Sequence, residues 1–211
     1  MMSIHLLPLL AIVSAVLHIR ADLKHLVKQT YLFKPLTLVL IILFSLFQVS
    51  EISMFYKVMI IAGLSFSMFG DIMLMLPSDK FLQGLASFLI AHIFYLIAFV
   101  SDSEFPVSYL YLIPGLIIGA FILRILLPQV GNKTVPVLIY SLILILLLWQ
   151  SAGRLALNLN HSTLVALIGS IIFIGSDITL VFNRFVKQHR NGQLYILSSY
   201  YIAQLLIAYS V

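Results

Sequence analysis

Asp71 and Asp177 are the residues best able to do chemistry in this chain, because each lies inside a long apolar segment. Asp71 belongs to the sequence GDIML and Asp177 to the similar sequence SDITL. A carboxylate within hydrocarbon costs free energy and by default marks a functional site that faces a cavity or a partner. The pair therefore indicates acid–base chemistry inside a membrane. The alternative is a packing role, in which Lys34 and Arg184 would supply ion-pair partners.

The elements that must hold these acids are membrane helices. The chain has 211 residues, of which 62% are hydrophobic and 9% charged, whereas a soluble domain carries about a quarter charged residues. Apolar segments of about 20 residues, the length that crosses a bilayer, recur along the chain. We predict an all-α integral membrane protein with a single transmembrane domain, residues 1–211. Its eight spans are about 3–19, 35–50, 55–76, 81–100, 108–127, 135–152, 163–183 and 194–211.

The chain has no cysteine, which excludes disulfides, thiolate metal sites and cysteine catalysis. No removable signal peptide is evident at the N-terminus. His92 is inside a predicted span, whereas the other five histidines lie at span ends and in loops. A metal site of three histidines is therefore not expected.

Basic residues are concentrated on one face of the predicted bundle. The loops and flanks of that face contain Arg20, Lys24, Lys28, Lys34, Lys80, Arg124, Lys133, Arg184, Lys187 and Arg190. The other face has Lys57, Arg154 and the acidic pair Asp102 and Glu104. This bias predicts that the first face is cytoplasmic and that both termini are non-cytoplasmic. The net charge of +5 is then a topology signal that requires no nucleic-acid partner.

The two halves of the chain resemble each other. A shift of about 106 residues places Pro8 on Pro114 and Asp71 on Asp177, which predicts parallel repeats over about 1–100 and 108–211. Four spans per half preserve the orientation, so the repeats would be related by a pseudo-two-fold axis along the membrane normal. The two acids would then lie at one depth, across that axis.

Further polar residues near the acids predict a cytoplasm-facing pocket that is polar at its mouth. The candidates for substrate binding are Lys34, Ser87, His92, Tyr95, Tyr140, Asn183, Tyr200 and Gln204. All of them except Gln204 also have an interpretation that involves no substrate. Lys34, placed before Pro35 at the start of span 2, could be a snorkelling lysine, and His92 could be a neutral histidine that bonds its neighbours. Ser87 could serve packing, Asn183 could cap a helix, and the tyrosines could belong to an aromatic belt.

Four motifs occur in order along the chain: KP at 34–35, GDxxL at 70–74, GxxSFxxxHxxY at 84–95 and GxxxFxxSDxxL at 169–180. With the eight spans, they resemble the YhhN-like lysoplasmalogenase family over nearly the whole chain. The resemblance implies hydrolysis of the vinyl ether bond of lysoplasmenylethanolamine or lysoplasmenylcholine. The products would be a fatty aldehyde and the glycerophospho-alcohol. It also implies that Asp71 and Asp177 are the active-site acids.

Vinyl ether hydrolysis suits two carboxyl groups in a pocket of low dielectric constant. The reaction needs a proton donor, a negative charge near the oxocarbenium ion and a base for water; a neutral and an ionised carboxyl group supply all three. No metal or organic cofactor is required. The sequence leaves open which aspartate is the acid. We expect the lysolipid head group near Lys34 and its chain among Phe and Leu side chains.

Two other functions use the same residues. A small proton-coupled transporter would also have internal repeats and buried carboxylates, and a non-catalytic lipid-binding protein would account for the basic face alone. If the source makes no plasmalogens, another ether lipid would be the substrate. We expect the chain in a bacterial inner membrane, with the site toward the cytoplasm; the oligomeric state stays open.

Overall fold

The described part of the chain is helical throughout. A computed structural model describes residues 6–49, 52–103 and 107–211, and its regular elements in these ranges are eight α-helices and two short 3₁₀ turns. The helices are α1 (Leu6–Leu23), α2 (Val27–Phe47), α3 (Met54–Met75), α4 (Phe81–Ser101), α5 (Leu112–Val130), α6 (Thr134–Leu157), α7 (His161–Phe185) and α8 (Gly192–Tyr209). The predicted all-α fold is confirmed.

Helix length and hydropathy identify a membrane protein. Within the described ranges, six segments are long and apolar enough to span a bilayer, and one of them, Tyr109–Leu157, contains both α5 and α6. Helix α8, which includes Gln193 and Gln204, is not among the six. The chain is thus an integral membrane protein. The predicted count of eight spans is not confirmed by length and hydropathy alone.

The start of α2 differs from its predicted position. Pro35 was expected to begin the helix, but α2 begins at Val27 and contains Pro35 in its interior. A proline inside a helix removes one backbone hydrogen bond, here the bond to the carbonyl of Tyr31, and the seven residues before Lys34 continue the helix regardless. At 1.5 Å per residue, Lys34 is therefore about 10 Å inside the helix. It is buried, not at the helix entrance.

Two closely packed helix pairs carry the acids, α3 with α4 and α7 with α8. On α3, a Cβ atom at Gly63 would collide with the Tyr95 ring. On α7, a Cβ atom at Gly169 would lie 3.0 Å from Ile207 Cγ1 and 3.2 Å from the carbonyl oxygen of Ala203. Small residues at such positions let membrane helices approach closely. The two glycines are separated along the chain by the same interval as the two aspartates.

Several helix contacts in the first half have a counterpart in the second half. Helix α1 packs on α2 as α5 packs on α6, and α2 contacts α3 as α6 contacts α7. Across the halves, α2 contacts α8 and α6 contacts α4. The correspondence is not complete. Helix α1 contacts α8 whereas α5 does not contact α4, and α3 contacts α8 whereas α7 does not contact α4 in the described residues.

A buried arginine network joins the helices at one end of the bundle. Arg154, expected as a surface charge, is only 1% exposed. Its guanidinium forms an ion pair with Asp102 and donates from Nη1 to the Tyr56 hydroxyl at 3.1 Å and from Nη2 to Ser162 Oγ at 3.0 Å. Tyr56 in turn shares a hydrogen bond of 2.8 Å with Ser210. A buried charge is tolerated only when paired in this way, so the network ties α3, α4, α6, α7 and the end of α8 together.

Candidate active site

Both acids line one cavity at the opposite end of the bundle, where α1, α3 and α7 finish and α2, α4 and α8 begin. The cavity has a volume of about 710 Å³. Five of the ten predicted site residues line it: Lys34, Asp71, Asp177, Asn183 and Tyr200. The tertiary structure thus brings together residues from four helices and both halves of the sequence.

Asp71 is held by one cation and one hydroxyl group. The carboxylate oxygen Oδ1 lies 3.3 Å from Lys34 Nζ on α2, and Oδ2 accepts a hydrogen bond of 2.8 Å from the Tyr200 hydroxyl on α8. Asp71 and Lys34 are both buried. Since each charge compensates the other in a setting of low dielectric constant, this pair is the arrangement in which the carboxylate stays ionised.

Asp177 has a different environment. Its Oδ2 accepts a hydrogen bond of 2.7 Å from the Tyr140 hydroxyl on α6, and the same oxygen lies 3.5 Å from His92 Nε2 on α4. His92 and Tyr140 lie behind the carboxylate, away from the cavity wall. They contact Asp177 rather than the space where a substrate would lie.

The hydrogen bonds of His92 fix where its proton is. Nδ1 lies 2.7 Å from the carbonyl oxygen of Phe88, so Nδ1 carries a proton and donates it. Nε2 makes no hydrogen bond within the described chain and faces Asp177. A neutral ring could accept there from a protonated Asp177, and a cationic ring could donate there to a carboxylate. A hydrogen bond between Nε2 and Asp177 would therefore leave the two groups with one exchangeable proton and no net charge.

The remaining predicted residues serve the helix contacts around the cavity. Tyr95 donates from its hydroxyl to Gln204 Oε1 at 2.7 Å, which links α4 to α8. Ser87 donates to the carbonyl oxygen of Phe66 at 2.6 Å, which links α4 to α3. All three polar side chains lie outside the cavity wall. Their hydrogen bonds are those of packing residues, and a direct contact with substrate stays a prediction for each of them.

Two residues at the end of α7 shape the mouth of the cavity. Asn183 Oδ1 accepts a hydrogen bond of 2.8 Å from the backbone N–H of His189 and so closes the loop between α7 and α8. Arg184, considered above as a partner of Asp177, instead donates to Asp79 Oδ2 at 2.6 Å. The pairing expected for Lys34 is present, and the one considered for Arg184 is replaced by an exposed ion pair.

The sequence analysis missed several lining residues. Asp22 and His25 reach the cavity from the end of α1 and the following turn, and Tyr31 reaches it from the first turns of α2. A sequence signal for Asp22 exists, since it is the sole acid before Glu51 and stands between basic residues. Among the described residues, no group of three or more His, Asp or Glu side chains is arranged to hold a metal ion.

The sequence is similar to those of known proteins. The profile of the YhhN family matches residues 29–211. The membrane protein YhhN of Escherichia coli O157:H7 is 23% identical over 202 residues, 94% of each chain. Lysoplasmalogenase TMEM86B of Rattus norvegicus is 34% identical over 156 residues, 74% of this chain and 62% of the relative. Lysoplasmalogenase TMEM86A of Homo sapiens is 31% identical over 159 residues, 72% of this chain and 64% of the relative. No solved structure matches the chain significantly.

Proposed function

Because the chain belongs to the YhhN family, we propose that it is a membrane hydrolase that cleaves the vinyl ether bond of lysoplasmalogens. The products are a fatty aldehyde and glycerophosphoethanolamine or glycerophosphocholine. The relatives named lysoplasmalogenase support an ether hydrolase. The observation that carries the proposal is the pair of buried acids, Asp71 and Asp177, which line one cavity with unlike partners.

Asp177 is the proton donor in this mechanism. Protonation of a vinyl ether at its β-carbon needs an acid that holds a proton near neutral pH. In our proposal the Asp177–His92 pair holds such a proton without net charge. The negative charge of Asp71 is instead compensated by Lys34, so Asp71 needs no proton. A positioned general acid typically accelerates a reaction by about 10²–10⁴-fold.

Asp71 supplies the negative charge. When the β-carbon takes the proton, positive charge develops on the α-carbon and the ether oxygen. A fixed carboxylate in a setting of low dielectric constant stabilises such a cation far more than it would in water. Lys34 and Tyr200 keep the Asp71 carboxylate ionised and oriented before the substrate arrives.

The sequence of steps conserves atoms and protons. Asp177 gives its proton to the β-carbon, and the double bond becomes an oxocarbenium ion. Water adds to the α-carbon and gives a proton to the carboxylate of Asp177, which forms a hemiacetal and restores the acid. The hemiacetal C–O bond to glycerol then breaks, the hydroxyl proton passes through the carboxyl groups to the departing oxygen, and the aldehyde is released. The net change is the addition of one water.

The membrane arrangement that we propose has eight spans, with the cavity open toward the cytoplasm of a bacterial inner membrane and both termini on the other side. The basic residues near the cavity end support this orientation by the positive-inside rule. The lysolipid head group would then lie at the cavity mouth, and its chain among the apolar residues Leu74, Phe81 and Leu180 of the wall.

Contacts at the two acids support the parallel internal repeat. Asp71 is contacted by Lys34 from the second helix of its own half and by Tyr200 from the fourth helix of the other half. Asp177 is contacted by Tyr140 and His92 in the corresponding way. A pseudo-two-fold axis between the halves generates this exchange of partners.

The transporter alternative is less well supported. A carrier needs a polar path on both sides of its site, whereas the Arg154 side chain at the far end is fully engaged with Asp102, Tyr56 and Ser162. These contacts seal that end of the bundle rather than line a path.

The test is release of fatty aldehyde from lysoplasmenylethanolamine and lysoplasmenylcholine by the purified protein in detergent. We expect turnover by the wild type and a loss of about 10²–10⁴-fold in kcat for Asp177→Asn, with a comparable loss for Asp71→Asn. Undiminished turnover in either buried variant would refute the assignment. Substrate flux in proteoliposomes without aldehyde would favour the carrier.

A further inference from the structure

Asp22 is the one cavity carboxylate without a partner. Asp71 has Lys34 and Tyr200, and Asp177 has Tyr140 and His92. The carboxylate of Asp22 makes no hydrogen bond or ion pair within residues 6–49, 52–103 and 107–211, although it lines the same cavity and is half-buried. An unpaired charge in a recess is costly, so a ligand group that compensates it would bind favourably.

Asp22 lies nearer the mouth than the two buried acids. It is one residue before the end of α1, whereas Asp71 is four residues before the end of α3, about 6 Å inside. Asp177 is eight residues before the end of α7, about 12 Å inside. The cavity thus has an inner level that contains the two proposed catalytic acids and an outer level that contains Asp22.

Two basic side chains lie within electrostatic reach of Asp22. They are Lys34, whose ammonium contacts Asp71 at the inner level, and His25 in the turn after α1. His25 is exposed and lines the mouth of the cavity. The cavity wall thus contains both the unpaired Asp22 carboxylate and the Lys34 ammonium, which suits a zwitterion rather than a simple anion or cation.

We propose that Asp22 binds the ammonium group of the substrate head group, so that the protein selects ethanolamine and choline lipids over lipids that end in phosphate. This rests on the proposed function. With the vinyl ether at the inner acids, the rest of the glycerol extends toward the mouth, with its phosphate near Lys34 and His25 and its ammonium at Asp22. A primary ammonium can donate hydrogen bonds to the carboxylate, while a trimethylammonium pairs with it by charge alone and can contact the Tyr31 ring.

The test compares Asp22→Asn with the wild type on two vinyl ether substrates, lysoplasmenylethanolamine and 1-alkenylglycerol 3-phosphate, which lacks the ammonium. Loss of a hydrogen bond to a charged group weakens binding by about 10-fold to 100-fold. We expect KM for the ethanolamine lipid to rise by that factor, with a smaller rise for the choline lipid. For the phosphate lipid we expect KM to be unchanged or lower, because a repulsive charge is removed. The kcat values should be unaffected.

Asp22→Glu, which keeps a carboxylate at this position, is the matched control and should retain the preference for the ethanolamine lipid. Equal changes in KM for both substrates, or no change for either, would overturn the role of Asp22. If the wild type releases no aldehyde from any vinyl ether, the proposed function fails by itself. The ammonium site is then tested by binding of lysophosphatidylethanolamine and lysophosphatidic acid. A preference for the former that Asp22→Asn abolishes supports the site, and equal binding by both proteins refutes it.

Discussion

The environments of Asp71 and Asp177 differ in charge although they correspond in position. Each acid is on the third helix of its half and receives one contact from the second helix of that half and one from the fourth helix of the other half. The second-helix contact is the cation Lys34 in the first half and the neutral Tyr140 in the second. This difference supports the proposal that the Asp71 carboxylate is a fixed charge and that Asp177 holds a proton.

The fourth-helix contacts differ as well. Tyr200 donates a hydrogen bond to Asp71, which favours the ionised form, while His92 presents Nε2 to Asp177 and can accept or return a proton. Two equivalent acids would compete for the same role. The unlike partners support the proposed division, in which one acid transfers the proton and the other stabilises charge.

The largest effect that we expect is a loss of stability when Lys34, the cation that distinguishes the two acids, is replaced. Lys34→Met leaves the Asp71 carboxylate buried without a cation, and loss of one partner of a buried pair costs about 3–5 kcal/mol. For a chain of this size we expect Tm in detergent to fall by roughly 6–20 °C. Adding Asp71→Asn should restore most of the loss, because the charge is then gone. A Tm for Lys34→Met equal to that of the wild type would contradict the ion pair.

His92→Gln tests the proton that Asp177 and His92 share. The glutamine amide can form a hydrogen bond with Asp177 but, unlike imidazole, cannot take up or return a proton, so the proposed shared proton is lost. We expect kcat to fall by about 10-fold to 100-fold, at the lower end of general acid catalysis, with KM unchanged.

The double variant His92→Gln/Asp177→Asn distinguishes this role from simple packing. If His92 acts through Asp177, the double variant should be no slower than Asp177→Asn alone, since residues that act as a unit are not additive. Multiplicative losses, or a rise in KM with kcat unchanged, would show that His92 acts independently.

The smallest effects come from the two tyrosines, which form a matched pair. Tyr140→Phe and Tyr200→Phe each remove one hydrogen bond to a carboxyl group, a bond of 2.7 Å to Asp177 and of 2.8 Å to Asp71. We expect kcat to fall by about 10-fold for Tyr140→Phe. The hydrogen bond strengthens as Asp177 gives up its proton and becomes charged, and a bond to a charged group contributes about 1.5–3 kcal/mol. The loss for Tyr200→Phe should be smaller, about 3-fold, since Lys34 still holds Asp71. The reverse order in steady-state kcat would refute the division of roles.

The sequence was sufficient for the class of the protein and for its central residues. Helix formation and membrane insertion depend on local composition and hydropathy, so the all-α fold could be read from the chain. The two aspartates were recognisable because a carboxylate in an apolar segment is rare. Lys34 was identified as a basic residue at the predicted pocket mouth, and Tyr200 as a polar residue near the depth of the acids. Both contact Asp71.

Other features depend on how the helices are rotated and extended, which hydropathy does not specify. Lys34 lies well inside α2 because the helix continues through the segment before Pro35. Ser87 is directed at the backbone of α3, and Tyr95 and Gln204 bond to each other, so these three polar side chains serve helix contacts. Arg154, a surface charge by its position in the sequence, is buried by its pairing with Asp102.

The distinction between the two acids belongs to the tertiary structure as well. Their local sequences are similar, and each has its decisive partner on another helix, Lys34 on α2 and His92 on α4. Ion pairs and hydrogen bonds act over a few ångströms, so they depend on which side chains the packed helices bring together. The chain alone therefore marks the two acids, and the packing of α2, α4, α6 and α8 around them gives each its own partners, on which the proposed assignment of the proton rests.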